Sequence, residues 1–539
     1  MSGSITLENR FGVNKMELIS LKYAIFVIVL LVLYYCFPKK YRWYVLLAGS
    51  MAYYVIICKW YVLFIIFTIC TTYGSTIWID KLLKEQNAIV KSHKEDWDRQ
   101  TRKEYKEKGR KKRVAVMLFA LLCNFGILAF LKYIPYAGEL GLLLPLGISF
   151  YTFQSMGYVM DVYREIVEPE KNFLKVALFV SFFPQIIQGP IAIYDKLAGQ
   201  LYEGHSLRLE NLQKGALLVL WGVIKKLVIA DRAVNIINFV MDKPMDFSGT
   251  YVFFAAVVYA LQLYADFSGG IDIVRGIAEM FGITMSTNFN HPYFSRSLTE
   301  YWHRWHMTLG DWCRNYIFYP LSISKRFLNF GKWLKPRFGA HISKVLPGCI
   351  ASVITFIVIG VWHGANMKYL YFGLWNGIVI MLAELFAPVN KKVAGGFFKL
   401  TGLREKGIFA TIVSVLWTFM LILVGYYFDI AANASTAFHM LFKSVTDFHI
   451  SELGINNIIL NLGACGLDEY DILLLIICTL LWFFISFVEE NKKLDMRNFI
   501  LSRKLPLRWA IIYLGIFIVI IFGYYGPGVN PADFVYMQF

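Results

Sequence analysis

The chain has 539 residues, of which 57% are hydrophobic and 17% charged, and its formal net charge is +17. A soluble domain of average composition carries about a quarter charged residues, so this composition excludes an ordinary globular enzyme. The excess of basic residues lies between the apolar blocks, as in the loops of membrane proteins, and no nucleic-acid partner is expected.

Apolar blocks follow one another along the whole chain, most of them about 17–25 residues long, which is the length of a helix that crosses a bilayer. They lie at about 17–36, 43–58, 61–79, 114–132, 142–163, 172–193, 213–230, 250–281, 346–361, 367–388, 408–429, 469–488 and 509–525. Backbone groups in lipid must be satisfied internally, so each block is predicted to be a helix. Some blocks can be re-entrant, which gives an all-α polytopic bundle of about ten to thirteen membrane helices.

The charges between the blocks predict the orientation of the chain. Segment 81–113 carries mixed charge and is predicted to be a cytoplasmic amphipathic helix or a solvated linker. Segment 325–344 is basic without any acid, which places it in the cytoplasm, whereas the acidic loop 431–468 is expected outside the cytoplasm. Counting the spans from these loops puts both termini outside, in a multi-pass protein of the cell membrane.

The first polar cluster inside an apolar block is 264–272, which contains Asp266. An ionisable group at membrane depth costs at least about 2–3 kcal/mol, so it is a candidate for function. The small residues around it also fit helix packing, with Asp266 paired to a buried cation. Both interpretations stay open.

The second cluster, 300–316, contains two histidines, two arginines, three tryptophans and an aspartate. His303 and His306 are three residues apart and are expected to share a helical face. Arg304 and Asp311 are two turns apart and are expected to approach each other. An interfacial helix with aromatic anchors would explain the tryptophans, but it would not explain the titratable imidazoles.

The third cluster, 360–366, places His363 and Asn366 between two apolar blocks. Imidazole left unpaired in lipid is costly, so His363 is expected to face a polar cavity or a partner. A helix-hairpin turn that contains a histidine is the structural alternative. Histidine is the side chain best suited to act as a general base near neutral pH, which makes His363 the leading catalytic candidate.

At these motifs the chain resembles the membrane-bound O-acyltransferase family, and within it the bacterial members that act on alginate, peptidoglycan and teichoic acid. The similar segments are Gly147–Arg164, Phe182–Ile191, Tyr264–Asp272, Asn288–Tyr293, Glu300–Leu321 and Gly360–Gly377. The resemblance runs from about residue 20 to the C-terminus. It implies that 1–539 form a single transmembrane domain around a central polar funnel, with 288–345 as a motif-bearing re-entrant or interfacial region.

The resemblance also implies roles for the motif residues. His363, in Val-Trp-His-Gly-Ala, matches the usual catalytic histidine of the family, and His306, in Arg-Trp-His, matches the functional histidine of the other motif. Supporting or substrate-binding roles are expected for His303, Arg304, Trp305, Asp311, Arg314, Trp362, Asn366 and Asp266.

The C-terminal residues 534–539, with the sequence FVYMQF, are similar to the Phe-x-Tyr-x-x-Phe ending found in this group of acyl-transfer systems. In that ending the tyrosine is proposed to accept the acyl group and to relay it to a secreted partner. Tyr536 fills this position, and the span count places it outside the cytoplasm. A plain hydrophobic tail is the alternative interpretation.

Together these features predict an O-acyltransferase in which His363 deprotonates an acceptor hydroxyl and His306 positions a substrate or stabilises the oxyanion. The expected donor is a cytoplasmic acyl-CoA or acyl-carrier-protein thioester, with no bound cofactor and no metal. The expected acceptor is a cell-surface polysaccharide, reached directly or through an extracytoplasmic acyl-transfer partner protein. Acetyl is the first expectation for the acyl group, and D-alanyl transfer to teichoic acid is the second.

Three other interpretations stay open. A transporter of polysaccharide or lipid would have a similar composition, although the chain shows no internal repeat. A scaffold that docks a soluble acyltransferase would need the basic loops but not the histidines. A metal-dependent hydrolase is disfavoured, because the sequence contains no H-E-x-x-H motif and no metal-type spacing among its eight cysteines.

Overall fold

The fold is built from helices joined by turns and short 3-10 segments. The computed structural model describes residues 16–401, 404, 407–454, 457–458, 463–526 and 534, and these residues contain no strand. Two compact units are present: the first comprises the residues up to 219 together with 271–286, and the second comprises 220–270 with the residues from 287 onward. The all-α class predicted from the sequence is confirmed.

The first unit contains the N-terminal helices. They are Leu21–Cys36, Arg42–Cys58, Val62–Ser92, Arg99–Tyr133, Ile148–Tyr163, Phe173–Ser181, Phe183–Gln188, Tyr194–Tyr202 and, up to residue 219, Leu209–Ile224. The charged segment 81–113 forms the end of Val62–Ser92 and the start of Arg99–Tyr133, so it is mainly helical. The buried Arg113 joins these two helices by donating to Gln86 over 2.8 Å.

The second unit contains the helices that carry the predicted site. They are Asp231–Met241, Leu298–Arg304, Met307–Cys313, Lys325–His363, Met367–Leu385, Ala387–Thr401, Ile408–Ile430, Ala434–Thr446, Glu469–Lys492 and Leu505–Phe522. The helix Gly249–Met280 belongs to this unit up to Gly270 and to the first unit from Ile271.

Among the described residues, seven helical stretches are long and apolar enough to cross a membrane, or eight if one bent pair of helices is counted as a span. They are Lys39–Ser92, Arg99–Tyr133, Gly249–Met280, Lys325–His363, Ile408–Ile430, Glu469–Lys492 and Leu505–Phe522, with Met367–Leu385 plus Ala387–Thr401 as the bent pair. This number is smaller than the predicted ten to thirteen, because several apolar blocks form short or interrupted helices and because Lys39–Ser92 contains two predicted blocks, 43–58 and 61–79. The block 172–193, for example, is interrupted at Phe182, and Pro184 follows in the first turn of the next helix.

The last of these stretches shows why a bilayer is needed. In Leu505–Phe522 only Gly515 is buried, while Ile520 and Ile521 are 59% and 65% exposed. So much exposed apolar surface is unfavourable in water and favourable against lipid tails. The protein is therefore a multi-pass membrane protein.

The helices Lys325–His363 and Met367–Leu385 form a tight hairpin. A methyl group on Gly360 would lie 2.3 Å from the carbonyl oxygen of Tyr369, and one on Gly373 would lie 2.3 Å from that of Phe356. Only glycine allows the two backbones to approach this closely, as in other membrane helix pairs. The close packing fixes the end of the first helix, where His363 lies.

A buried ionic cluster lies at the start of the second unit. The amine of Lys226 is 2.7 Å from carboxylate oxygens of both Asp231 and Asp266, and all three side chains are at most 3% exposed. The neighbouring Lys225 donates to the hydroxyl of Ser268 over 2.8 Å. Buried charges are tolerated when they are paired in this way, so the cluster joins the segment 225–231 to the helix Gly249–Met280.

Candidate active site

The Arg-Trp-His segment is a break between two helices. The helix Leu298–Arg304 ends before Trp305, whose backbone is extended, and His306 has φ 43° and ψ 51°, in the left-handed region. The expectation that His303 and His306 share a helical face is therefore wrong, because the helix does not continue through them. A non-glycine residue in this conformation costs about 1–2 kcal/mol and persists only where its surroundings hold it.

Asn288, in the motif Asn288–Tyr293, holds His306 in this conformation. Its side-chain oxygen accepts hydrogen bonds from the backbone N–H of Thr308 over 3.1 Å and from the Thr308 hydroxyl over 2.9 Å. The same oxygen lies 3.2 Å from Nδ1 of His306. In the backbone, the N–H of Met307 donates to the Asn288 carbonyl over 2.9 Å. The two motifs thus form one structural unit.

These contacts define the tautomer of His306. Because the Asn288 atom accepts from a backbone N–H, it must be the amide oxygen, and Nδ1 of His306 must then be the donor. The neutral imidazole carries its lone pair on Nε2. Burial, with a smaller effect of the nearby His363, lowers the pKa of His306 from 6.5 to about 3. His306 is therefore a neutral hydrogen-bond acceptor at physiological pH.

His363 is the last residue of the helix Lys325–His363 and is 7% exposed. Its ring stacks on Tyr369 with the centroids 6.0 Å apart and meets the edge of Phe372 at 5.4 Å. The turn that follows is confirmed as a helix hairpin, with Asn366 capping the next helix by accepting from the N–H of Lys368. The aromatic neighbours hold the imidazole in one orientation.

Both histidines line one small cavity of about 20 Å³, which we call the histidine cavity. Its other walls include Tyr301, Trp302, Trp305, Asn376, Tyr426 and Asp429. The ring of Trp362 lies between the histidines, with its centroid 6.4 Å from that of His306 and 5.0 Å from that of His363. A space of this size holds about one water molecule, so any group that reacts here must be small.

The tyrosine hydroxyls of the histidine cavity form a directional chain. Tyr293 donates its only hydroxyl proton to the carbonyl of Ala260 over 2.6 Å. Tyr426 must therefore donate to Tyr293 over 3.1 Å, and Tyr301 must donate to Tyr426 over 2.7 Å. Because each of these buried hydroxyls has a partner, the chain stabilises this part of the cavity wall.

Asp429 is a site residue that the sequence analysis missed. Its carboxylate lines the histidine cavity and accepts a hydrogen bond from Tyr259 over 2.6 Å. The amine of Lys368 donates to the main-chain carbonyls of Asp429 and Ala431 over 2.7 and 2.8 Å. Asp429 lies at the end of an apolar block, where it resembles an ordinary span boundary. Asp429 could have been identified from the free-energy cost of placing a carboxylate at membrane depth.

A second, larger cavity of about 540 Å³ lies beside the histidine cavity, and we call it the large cavity. Its walls are mainly apolar and include Phe356, Ile359 and Ile380, with charged residues at Asp311, Arg314, Lys344 and Glu384. His303 also lines it. The two neighbouring histidines of the second motif therefore face different spaces.

The remaining predicted residues of the second motif are held in ion pairs. Arg304 lies 2.7 Å from Glu300 and 3.0 Å from Glu490. Asp311 pairs with Arg314, which also contacts His303. The expected approach of Arg304 to Asp311 is not observed, because the helix break redirects the first turn. These residues position the segment 298–314 and its short helices.

Asp266 pairs with Lys226, as the packing interpretation predicted. The adjacent Phe267 contacts His306 edge-on at 4.9 Å, so this segment supports the histidine cavity through an aromatic contact. Tyr536 lies outside the described residues. Its predicted role as an acyl relay stays a prediction.

Replacing Asn288 by alanine is expected to release His306. The change leaves the buried donors of Thr308 and His306 without their acceptor, which costs about 1–3 kcal/mol. A displaced catalytic group of this kind lowers activity about 100-fold. Acyl transfer and thermal denaturation in detergent would be measured together, with Asn290→Ala as the control because the Asn290 side chain is exposed. Unchanged activity and stability in Asn288→Ala would contradict the proposed support.

Comparison with known proteins gives an independent view of the chain. A family model described as the membrane-bound O-acyltransferase family matches residues 169–335, which include His306 but not His363. The chain is 30% identical to a probable alginate O-acetylase of Pseudomonas syringae, over 58% of this chain and 54% of that protein. It is also 30% identical to a peptidoglycan O-acetyltransferase of Helicobacter pylori, over 51% of this chain and 56% of that protein.

A more distant similarity is to a teichoic acid D-alanyltransferase of Bacillus subtilis, at 26% identity over 52% of this chain and 67% of that protein. The chain thus spans about half the length of the first two relatives. These similarities agree with two features of the structure, which are the apolar helices and the contact between the Asn-Phe-Asn and Arg-Trp-His motifs. Residues 169–335 match the membrane-bound O-acyltransferase family, and the chain is similar to bacterial O-acetyltransferases and a D-alanyltransferase.

Proposed function

We propose that this protein is an O-acyltransferase that moves a small acyl group, acetyl in the first instance, from a thioester to a hydroxyl group. The observation that carries this proposal is the convergence of His306 and His363 on one buried cavity. Two imidazoles in a space of about 20 Å³ suit proton transfer to and from one small reacting group. The activities named for the relatives, which are acetyl and D-alanyl transfer, support the same reaction class.

The proposed reaction begins when His363 accepts the proton of the acceptor hydroxyl. The hydroxyl oxygen attacks the thioester carbonyl carbon, a C–O bond forms, and the C–S bond breaks. The imidazolium of His363 then returns the proton to the leaving thiolate, so that the products are an ester and a free thiol. His306 is a weak base because its pKa is about 3, which supports His363 as the base.

In this reaction His306 orients the acceptor hydroxyl. A neutral imidazole whose proton lies on Nδ1 accepts a hydrogen bond at Nε2, which holds a hydroxyl in place for attack. The same tautomer offers no proton at Nε2, so the geometry favours this role over donation to an oxyanion. Asp429 lines the same cavity as His363, and an ionised carboxylate there would favour the imidazolium of His363 as it forms.

The donor in this proposal is a cytoplasmic acyl-CoA or acyl-carrier-protein thioester. The large cavity has apolar walls and a lysine, Lys344, which suit a pantetheine chain and a phosphate. The acceptor is a cell-surface polysaccharide, and an extracytoplasmic partner protein completes the transfer. The protein lies in the cell membrane with both termini outside the cytoplasm, an orientation supported by the basic loops. D-alanyl transfer to teichoic acid is the second candidate, supported by the match to the Bacillus subtilis protein.

Transfer measured with the purified full-length protein tests this proposal. The protein in lipid nanodiscs would receive acetyl thioester labelled in the acetyl group together with a soluble polysaccharide hydroxyl acceptor. The expected result is free thiol together with an equal amount of labelled ester, formed on the added acceptor or on the protein itself. A transporter would move substrate across the membrane and form no ester, and that outcome would overturn the proposal.

Tyr536→Phe tests the relay separately. If Tyr536 carries the acyl group, this change removes the only atom that can form the ester and leaves the ring in place. Delivery of the acyl group to the external polymer in cells is then expected to be lost, because the reaction at the cavity histidines no longer has the Tyr536 hydroxyl as its first acceptor. Mass spectrometry of the C-terminal peptide would measure the acyl adduct. Normal delivery by the variant would show that the tail is not a relay.

A further inference from the structure

Trp302 forms part of the wall of both cavities. The histidine cavity and the large cavity are lined by different residues except at this position, where Trp302 belongs to both. Its ring meets Phe356 at 5.1 Å on the side of the large cavity and Phe372 at 6.2 Å on the side of the histidine cavity. The Trp302 indole thus lies between the large cavity and the histidines of the histidine cavity.

The indole is held in this place by a buried hydrogen bond. Its N–H donates to the side-chain oxygen of Asn376 over 2.9 Å, and the amide N–H₂ of Asn376 donates to the carbonyl of Phe372 over 2.8 Å. Asn376 is only 3% exposed. A buried amide with both ends bonded keeps one orientation, so the position of Trp302 is fixed by the hairpin helix Met367–Leu385.

The two volumes differ strongly across this indole. About 540 Å³ is available on one side and about 20 Å³ on the other. We infer that Trp302 sets the upper size of the acyl group, by admitting an acetyl thioester to the histidines and rejecting longer chains. The inference rests on the proposed function and identifies the substrate class as short acyl thioesters of about two carbons.

Chain-length selectivity tests this inference. Initial rates of ester formation would be measured with acetyl, propionyl and butyryl thioesters. A tight apolar pocket discriminates about 10–200-fold for one methylene, so the wild-type protein is expected to prefer acetyl over butyryl by at least about 100-fold. Trp302→Leu opens the partition and is expected to reduce this ratio at least about 10-fold. An unchanged ratio in this variant would overturn the inference.

A second variant keeps the test valid if Trp302→Leu does not fold. Asn376→Leu has a similar volume but cannot accept the indole N–H, so the indole loses its fixed position and the ratio is expected to fall. Trp417→Leu is the matched control, because Trp417 is 66% exposed and lines neither cavity. This variant is expected to keep the wild-type ratio, and a shift equal to that of Trp302→Leu would overturn the inference.

The outcomes separate the size limit from the proposed function. If the wild-type protein forms no ester from any thioester, the proposed function fails and the size limit fails with it. If the wild-type protein transfers acetyl and butyryl at similar rates, the enzyme assignment stands and the role of Trp302 is wrong. A large wild-type preference that is lost in Trp302→Leu, or in Asn376→Leu if Trp302→Leu does not fold, supports both.

Discussion

His363→Ala is expected to abolish acyl transfer while leaving the protein folded. General-base catalysis by a positioned histidine contributes about 10²–10⁴ in rate, and burial makes His306 too weak a base to replace it. His363 is at the end of its helix, and the close glycine contacts that hold the hairpin lie at other residues. The His363→Ala change therefore removes the imidazole but leaves the contacts that hold the hairpin backbone in place.

The measurement is the rate of labelled ester formation in nanodiscs, together with the elution volume and melting temperature of each variant. His439→Ala is the matched control, because this histidine is exposed and lines neither cavity. A rate for His363→Ala within about threefold of the wild type would remove this residue from the mechanism. A loss of monodisperse protein would show a structural role instead.

Lys226→Met is expected to produce the largest loss of stability. The change leaves Asp231 and Asp266 buried at 0% exposure, close together and without their shared cation. Breaking a buried ion pair by removing one partner costs about 3–5 kcal/mol. The variant should therefore denature at a much lower temperature, or fail to accumulate as a monodisperse species.

Two further variants show whether the unpaired carboxylate charges cause the loss of stability expected in Lys226→Met. The triple change Lys226→Met, Asp231→Asn and Asp266→Asn removes all three charges and is expected to recover much of the lost stability. Lys493→Met removes a lysine that is 76% exposed and should change stability by less than about 0.5 kcal/mol. If the triple variant were no more stable than the single one, packing rather than charge would explain the effect.

The apolar helices could be predicted well because their signal is local. Length and hydropathy identified helix positions such as Ile408–Ile430 and Glu469–Lys492 within a few residues. The count of spans was less accurate, since hydropathy does not show where a helix is interrupted. Pro184, for example, lies in the first turn of a new helix inside the block 172–193, which reads as continuous.

The site was predicted in part. The two principal histidines were identified from their motifs, and the structure places both on one cavity. The break at Trp305–His306 was missed because helical spacing was assumed through the motif, whereas the hydrogen bonds of Asn288 impose another backbone. Asp429 and Lys226 were missed because Tyr259 and Asp266, which contact them, are distant from them in the sequence, although each lies in or at the end of a predicted span.

The close approach of the hairpin at Gly360 and Gly373 has a consequence for motion. Because the two backbones are in direct contact, the two helices cannot slide past each other. We therefore expect the imidazole of His363, at the end of the first helix, to keep its position during turnover. Another part of the cavity wall consists of two helices of seven residues each, which are joined by the extended Trp305 and the left-handed His306. Any closing around a substrate should therefore come from that side, with the hairpin as the stationary half.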